Sequence, residues 1–534
     1  MKTLICGIAL LSLVACFPLA AQDLGGPWTI RKVDFQVTGR SLAFVMMKKI
    51  DPLGTMVGSS FPDRAALESF IADRRQVLMN ERVLASVETG YDSKPSSSGG
   101  YDVDLRFTTV DTWNLIALPY AKYDSNTGLL LSLRGRDYDF AGSMQELALD
   151  LNYQKDPAGR VSYTGALSFS LPFQALGRDW AFGLQEAGGL WTDGTASTVT
   201  QASLSLDLPG LGFPADITLT QGFSYNALAG APLPANDPDS WYLSEGLALR
   251  ASIPLTGSMG SLDSVELGPL NYSPGIAVSL NWNPATRLSY YGSGTVTEAG
   301  NGPYGVGDTV PAIGNGISYG RGGLVTTASN SLSLGRVDWR GNQRAGLSLM
   351  IANNTSYNAQ YRDLASDLNL TAAWYGESRG RIGVAAMLTI LNRFSNHPKA
   401  DALANLGWYL RGVLDDRISG TKAGFVNLEL PIKLFDFPTH SVIGTRTLDF
   451  ELQIAPFADA AIVPSGYGSQ PNADQFWYTG GREFLAFPAG LRSFIVRASA
   501  GWDLKSVIAT RSLSAKTTDG SSPYEIFAGL GLKY

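Results

Sequence analysis

Long segments in which apolar and polar residues alternate constrain this chain more than any other feature. From Val161 to Phe173, every second residue is apolar or glycine, and the residues between them are mostly serine and threonine. Successive side chains of a β-strand point to opposite faces, so such a segment has one apolar face. Ala345–Asn354, Ile382–Leu391 and Phe494–Leu504 have a similar length and alternation. The pattern predicts a mainly β protein with many strands.

Composition narrows the fold class. The 534 residues are 45% hydrophobic and only 16% charged, against about 25% charged in ordinary soluble domains. No stretch after residue 22 approaches the roughly 20 continuous apolar residues of a membrane helix. A chain of this kind, rich in glycine and aromatic residues, favours a transmembrane β-barrel, with a large secreted β-sandwich or solenoid as the alternative. Residues 113–534, at about 9–11 residues per strand plus connections, predict a barrel of 16 strands.

The first 21 residues indicate secretion. Lys2 is followed by the apolar run Leu4–Val14 and by the small residues Ala20 and Ala21, so residues 1–21 are predicted to be a signal peptide. Leu13–Cys16 also resembles a bacterial lipoprotein cleavage site, which would leave Cys16 lipidated. The sequence is compatible with cleavage at either site.

The sequence offers little for bond chemistry. The two cysteines, Cys6 and Cys16, lie in the predicted signal peptide, and the two histidines are His397 and His440. We therefore expect no disulfide, metal site or cofactor in the folded part. The chain has no Gly-x-Ser-x-Gly nucleophile motif, and we expect no enzymatic activity. A net charge of −6 argues against a nucleic-acid partner, which requires a basic face.

A small α+β domain is predicted for residues 22–112. Its expected elements are two helices between a first strand and a final strand pair: Trp28–Thr38, Ser41–Ile50, Asp63–Asn80, Val83–Tyr91 and Tyr101–Val110. This order, with Gly58–Phe61 before the second helix, resembles a single POTRA domain, the periplasmic module of BamA-type proteins.

The chain ends in an alternating segment. Tyr524, Ile526, Leu530 and Tyr534 lie on one face of a predicted last strand. A terminal aromatic residue on such a strand resembles the signal by which bacterial outer-membrane barrels are recognised for assembly.

One arginine lies in a segment that predicts a buried ion pair. Leu410-Arg411-Gly412-Val413 precedes a strand with one acidic residue, Glu429, and the largely apolar run Gln453–Val463 contains Asp459. An arginine inside a protein requires a carboxylate, since an unpaired buried charge is costly. The three segments resemble, in this order, the sixth-loop motif and the two following strands of the superfamily of BamA, TamA and the two-partner secretion transporters. Val413 replaces the usual aromatic residue, and Ala461 the usual glycine.

The resemblance implies a site and a mechanism. The loop would fold into the barrel lumen, where Arg411, beside the tight turn at Gly412, would pair with Glu429 and Asp459. The first and last barrel strands would meet at a seam that can open sideways. Its predicted residues are Leu115, Ala117, Pro119, Tyr524, Ile526, Leu530 and Tyr534.

The function implied is an outer-membrane insertase or translocase that assembles or exports β-rich client proteins, with its N-terminal domain in the periplasm. The expected partners are outer-membrane lipids, β-rich client or secreted proteins, and accessory lipoproteins at the POTRA-like domain. Two alternatives stay open. One is a dedicated secretion pore for a single partner or cargo, and the other is a surface adhesin or antigen on the same scaffold.

Overall fold

We analysed a computed structural model of the chain. It describes residues 26–97, 99–124, 128–155, 159–192, 196–225, 241–262, 264–282, 294–295, 309–310, 323–359, 363–378, 381–395, 403, 406–413, 417–440, 449–464, 475–517, 520 and 522–530. The predicted signal peptide, with Cys6 and Cys16, lies outside these residues, as do His397 and Tyr534.

The N-terminal part forms one small sheet covered by two helices. Its elements are β1 (Trp28–Thr38), α1 (Ala43–Ile50), β2 (Ser60–Phe61), α2 (Arg64–Asn80), β3 (Leu84–Pro95) and β4 (Tyr101–Asp111). The sheet order is β2-β1-β4-β3, in which β1 and β4 are parallel. Asp63 caps α2, because its side chain accepts a hydrogen bond of 2.7 Å from the amide of Ala66. All five predicted elements are therefore present, and β2 is an addition.

The rest of the chain is almost entirely strand. The elements are β5 (Leu115–Asp124), β6 (Gly128–Asp137), β7 (Leu147–Lys155), β8 (Val161–Ala175), β9 (Arg178–Trp191), β10 (Ala196–Asp207), β11 (Ala215–Tyr225), β12 (Trp241–Ala251), β13 (Ile253–Pro254), β14 (Ser261–Leu262), β15 (Val265–Glu266), β16 (Asn271–Trp282), β17 (Gly294–Thr295), β18 (Thr309–Val310), β19 (Gly323–Arg340), β20 (Gln343–Asn358), β21 (Asp363–Ser378), β22 (Ile382–Ser395), β23 (Lys422–Glu429), β24 (Ile432–Phe437), β25 (Phe450–Ile462), β26 (Phe476–Pro488), β27 (Val496–Asp503), α3 (Leu504–Thr510) and β28 (Tyr524–Leu530).

These strands close into a barrel in which β28 is the neighbour of β5. The predicted fold class, mainly β with a closed barrel, is confirmed. Within the described residues the ring has twenty segments. β12 and β13 pair with the same strand, β16, one after the other along its length, and β23 and β24 do the same along β25. Each of these two pairs occupies one position, so the ring formed by the described residues has eighteen strand positions. The predicted count of sixteen was wrong, because connections such as Leu176-Gly177 and Gly341-Asn342 are only two residues long and leave more of the chain for strands.

Alternation along the strands separates an outward face from an inward face. In β23, Val426 and Leu428 are 44% and 48% exposed, whereas Asn427 between them is 3% exposed. The same alternation places the apolar residues of β8, among them Tyr163, on the outward face. The polar residues therefore line the lumen, as expected for a barrel whose outer surface contacts an apolar phase.

Two features are absent from the described residues. No helix there combines the length and the apolar character needed to cross a bilayer. In the same residues, no group of three or more His, Cys, Asp or Glu side chains is arranged to hold a metal ion.

Candidate functional site

Residues 406–413 of the connection between β22 and β23 lie inside the barrel. The segment Leu406–Tyr409 is a short 3-10 helix, and the tip that follows, Leu410–Val413, is buried. Leu410 and Val413 pack in an apolar cluster with Phe425 of β23 and Ala461 of β25. Val413 and Ala461, the two residues that differ from the superfamily motifs, therefore belong to the same cluster.

Arg411 is the largest fully buried side chain of the chain's described residues, with 1% exposure. Its Nε and Nη2 donate to the two carboxylate oxygens of Asp459, at 3.0 and 2.7 Å. Its Nη1 donates to Glu429 Oε2 at 2.5 Å. The bidentate pair matches the planar fork of the guanidinium to the carboxylate. The structure thus brings Arg411, Glu429 and Asp459 into direct contact.

Three further groups lie close to the Arg411 guanidinium. The ring of Phe457 lies 3.9 Å from the guanidinium carbon, and the carbonyl of Leu428 accepts from Nη2 at 3.4 Å. Glu483 of β26 is a third carboxylate, with its Oε1 at 3.5 Å from Nη1. We call the tip Leu410–Val413 with Glu429, Asp459 and Glu483 the lumenal latch.

A second arginine balances the acidic charge of the lumenal latch. Arg497 of β27 is 5% exposed, and its Nη2 lies 3.1 Å from the same oxygen of Glu483 that faces Arg411. Its guanidinium also lies 4.4 Å from the ring centre of Phe527 on β28. Charges out of water require close partners of opposite sign, and Arg411 and Arg497 supply two cations for the three carboxylates.

Glycines allow the loop tip to touch the barrel backbone. Gly412 has a φ of +96°, a conformation that favours glycine. A Cβ atom on Gly501 of β27 would lie 2.9 Å from the Cα of Gly412, closer than such atoms pack. The Gly412 amide donates to Glu525 Oε2 at 3.0 Å. The tip is therefore held by a backbone contact with β27 and a hydrogen bond with β28.

Sequence reasoning missed Glu483, Arg497 and Glu525. A usable signal was present for Glu483 and Glu525, since each is an acidic residue on the lumen-facing register of its strand. Both residues contact the loop tip, which is far away in sequence, so the strand register alone does not reveal that contact.

Five of the seven predicted seam residues lie on the outward faces of two adjacent strands. Leu115 of β5 is 57% exposed and Ile526 of β28 is 66% exposed; Ala117 and Pro119 are also exposed. Tyr524 is half-buried, Leu530 belongs to β28, and Tyr534 lies outside the described residues. The ring closes between these two strands, and the inward-facing residues of β28 are Glu525 and Phe527.

The small N-terminal domain contacts four connections at the end of the barrel where β5 begins. Two of these contacts involve α1 and the segment before it. Lys48 pairs with Asp207 at the end of β10, and Arg40 pairs with Asp137 at the end of β6. Ser41 Oγ donates to Asp139 Oδ2 at 3.0 Å.

The other two connections contact α2 and the segment that follows β4. Asp73 Oδ1 accepts from Arg336 Nη1 at 2.6 Å, and Asn80 Nδ2 donates to Asp338 Oδ1 at 2.8 Å, both near the end of β19 that leads into the β19–β20 turn. At the β26–β27 turn, the carbonyl of Gly490 accepts from Thr112 Oγ1 at 2.6 Å. The four connections lie four to six strand positions apart around the ring, so the domain lies across this mouth of the barrel.

Arg82 joins two of these turns. Its guanidinium lies 4.2 Å from the ring centre of Trp339, and it donates to Asn342 Oδ1 at 3.1 Å and to the carbonyl of Arg492. Loss of solvent lowers the pKa of Arg82 to about 10, so the side chain stays charged at neutral pH. Stacking on Trp339 and hydrogen bonds to carbonyl groups offset part of that desolvation.

Comparison with known proteins gives structural likenesses at low sequence identity. No protein-family profile matches the chain, and no curated protein is similar to it in sequence. Among solved structures, the chain is similar to CdiB from Escherichia coli, with a TM-score of 0.48 and 10% identity over 95% of this chain and 76% of that one. It is similar to CdiB from Acinetobacter baumannii, with a TM-score of 0.45 and 12% identity over 94% and 73% of the two chains. It is also similar to BamA from Haemophilus ducreyi lacking POTRA domains 1-3, with a TM-score of 0.36 and 12% identity over 94% of this chain and 84% of that one.

Proposed function

We propose that this protein is an outer-membrane member of the BamA and two-partner secretion transporter superfamily that inserts or translocates β-rich client proteins. The observation that carries the proposal is Arg411, an arginine buried in the lumen and held by carboxylates from two successive strands. That arrangement coincides with the motif order by which the sequence resembles the superfamily.

The outer surface supports a membrane location. Most outward-facing residues in the middle of the strands are Leu, Ile, Val, Phe and other apolar residues, and burying them in lipid is favourable. The N-terminal domain, which contacts the barrel end opposite the lumenal loop's entry, would then lie in the periplasm as a single POTRA domain. Accessory lipoproteins would bind to its exposed surface.

The seam between β5 and β28 supports the mechanism. Separating two adjacent strands exposes unpaired N–H and C=O groups on both edges. A client β-strand can satisfy these groups by pairing with one edge, which is the general mode of β-strand addition. The free energy then comes from client folding, and neither a cofactor nor a metal is needed.

A dedicated secretion pore is the second candidate function. Val199 of β10 and Met350 of β20 face the lumen and are 39% and 42% exposed, so the lumen on that side of the barrel is open to water. A water-filled lumen beside the loop provides a path for an unfolded polypeptide. The N-terminal domain across the mouth would close this path at rest.

Depletion of the protein should separate these functions. We expect the outer-membrane proteome to lose many β-barrel proteins if the protein is an insertase, because they share one assembly route. Loss of one secreted protein alone would identify a dedicated pore. An unchanged proteome and secretome would contradict both and would favour a surface adhesin, which loop-deletion binding assays would test.

The docking of the N-terminal domain gives a separate prediction. Arg82→Met removes the charge and the hydrogen bonds of Arg82 but keeps an apolar side chain near Trp339. We expect the domain to leave the mouth more often and the mean conductance in planar bilayers to rise. Arg64→Ala is the matched control, since Arg64 pairs with Glu68 within α2 in an exposed position, and such pairs contribute about 0.3–0.5 kcal/mol. Equal conductance of Arg82→Met and the parent would show that this contact does not close the mouth.

A further inference from the structure

The last barrel strand, β28, contacts the lumenal latch and Arg497 through two inward-facing residues. Glu525 Oε2 accepts a hydrogen bond from the amide of Gly412 at 3.0 Å. Phe527 lies 4.4 Å from the guanidinium of Arg497. Tyr524 and Ile526, at the alternate positions, belong to the outward face. The strand therefore presents one face to the membrane side and the other to the loop.

A chain of contacts joins Phe527 to Arg411. Arg497 Nη2 is 3.1 Å from Glu483 Oε1, and that same oxygen is 3.5 Å from Arg411 Nη1. Glu483 is 1% exposed, so water does not screen these interactions, and a charge that moved away would leave an unpaired partner. A shift of Arg411 is thus unfavourable unless Glu483 and Arg497 adjust with it.

The loop tip also holds β28 in position relative to β27. Gly412 packs against the backbone of Gly501 on β27, where no Cβ fits between them. The same residue donates its amide to Glu525 on β28. An outward swing of β28 from β5 would move the Glu525 carboxylate away from an amide that the backbone contact keeps in place.

We infer that Glu525 and Phe527 are positioning residues that couple the loop tip to the seam, so that β28 leaves β5 only when Gly412 releases Glu525. The inference rests on the proposed function for its openable seam and adds the side chains that regulate it. It predicts that release of the loop tip from Glu429, Asp459 and Glu483 frees the edge of β28, where a client strand would pair.

Coupling between two sites must be reciprocal. If release of the loop opens the seam, then a seam that is held closed must retain the loop. The amide of Gly412 reports directly on this effect, because its hydrogen-bond acceptor is Glu525 itself.

The distance across the seam tests the coupling. Spin labels are attached at Ala117→Cys and Ala528→Cys, on the outward faces of β5 and β28, in the full-length protein in lipid nanodiscs with Cys6 and Cys16 replaced by serine. We expect one short distance in this parent and a second, longer distance in Glu525→Ala and in Phe527→Leu. Glu245→Ala is the control, because Glu245 is an exposed carboxylate on the outward face of β12, away from the loop.

The reciprocal measurement keeps Glu525 and Phe527 unchanged, so it tests the coupling even if the variants at these two residues fold poorly. Cross-linking the two cysteines with a bifunctional maleimide should slow hydrogen exchange of the Gly412 amide about fivefold or more, the lower end of usual allosteric couplings. Distance distributions equal to the parent in both Glu525→Ala and Phe527→Leu, or unchanged exchange at Gly412, would overturn the inference. If the seam widens but client assembly is unaffected, the coupling stands and the proposed function fails.

Discussion

Arg411→Ala is expected to lower the free energy of unfolding by about 3–5 kcal/mol, since removal of one partner from a buried ion pair leaves the other charges uncompensated. Here Asp459 and Glu483 are 2% and 1% exposed and would lose their shared cation. The measurement is urea unfolding in detergent micelles, with heat-modifiability on gels as a second readout. Both should shift to milder conditions.

Two variants separate pairing from a general loss of packing. Arg411→Ala and Asp459→Ala combined should cost less than the sum of the single variants, by about 0.5–3 kcal/mol, as expected for residues in contact. Arg393→Ala is the matched control, because Arg393 also makes a bidentate pair with a lumenal carboxylate, Asp367, but both are more than a quarter exposed. Its loss should be about 1 kcal/mol or less. Additive losses for Arg411 and Asp459 would contradict direct pairing.

Gly501→Ala is expected to displace the loop tip without removing any charge. The new Cβ would lie 2.9 Å from the Gly412 amide nitrogen and 3.0 Å from the carbonyl carbon of Arg411. Both obstacles are backbone atoms, so the strain is relieved only if the tip moves, which also weakens the bonds of Gly412 and Arg411. Overpacking of this kind costs about 1–3 kcal/mol. Unfolding experiments and hydrogen exchange of residues 410–413 measure the effect.

The neighbouring strand offers a control for this prediction. A Cβ on Gly480 of β26 would lie 3.4 Å from the side chain of Leu504 and 3.7 Å from the carbonyl oxygen of Phe457, both of which are ordinary van der Waals distances. Gly480→Ala should therefore leave stability and loop protection near those of the parent. If Gly501→Ala behaves as Gly480→Ala does, the loop tip is not packed against β27.

Local patterns predicted the strands, and the resemblance to the superfamily motifs predicted the principal ion pair. Alternation within β23 and β25 assigns Glu429 and Asp459 to one face of each strand, and burial of a charge requires an opposite charge nearby. The strand faces follow from a period of two, and the need for a carboxylate follows from the cost of desolvation, but the choice of Glu429 and Asp459 as the partners came from the resemblance to the superfamily motifs. The number of strand positions was predicted less well, because it depends on how short each connection is.

The sequence by itself determined the barrel class, the order of the elements and the pairing of Arg411 with Glu429 and Asp459. Only the tertiary structure decided that Glu483, Arg497 and Glu525 join the same site and that Arg82 docks the N-terminal domain against Trp339. The physical reason is register and closure. Gly412 and Glu525 are 113 residues apart, and Arg82 and Arg492 are 410 residues apart. Such residues meet only after the strands have paired in sequence and the last has closed against the first.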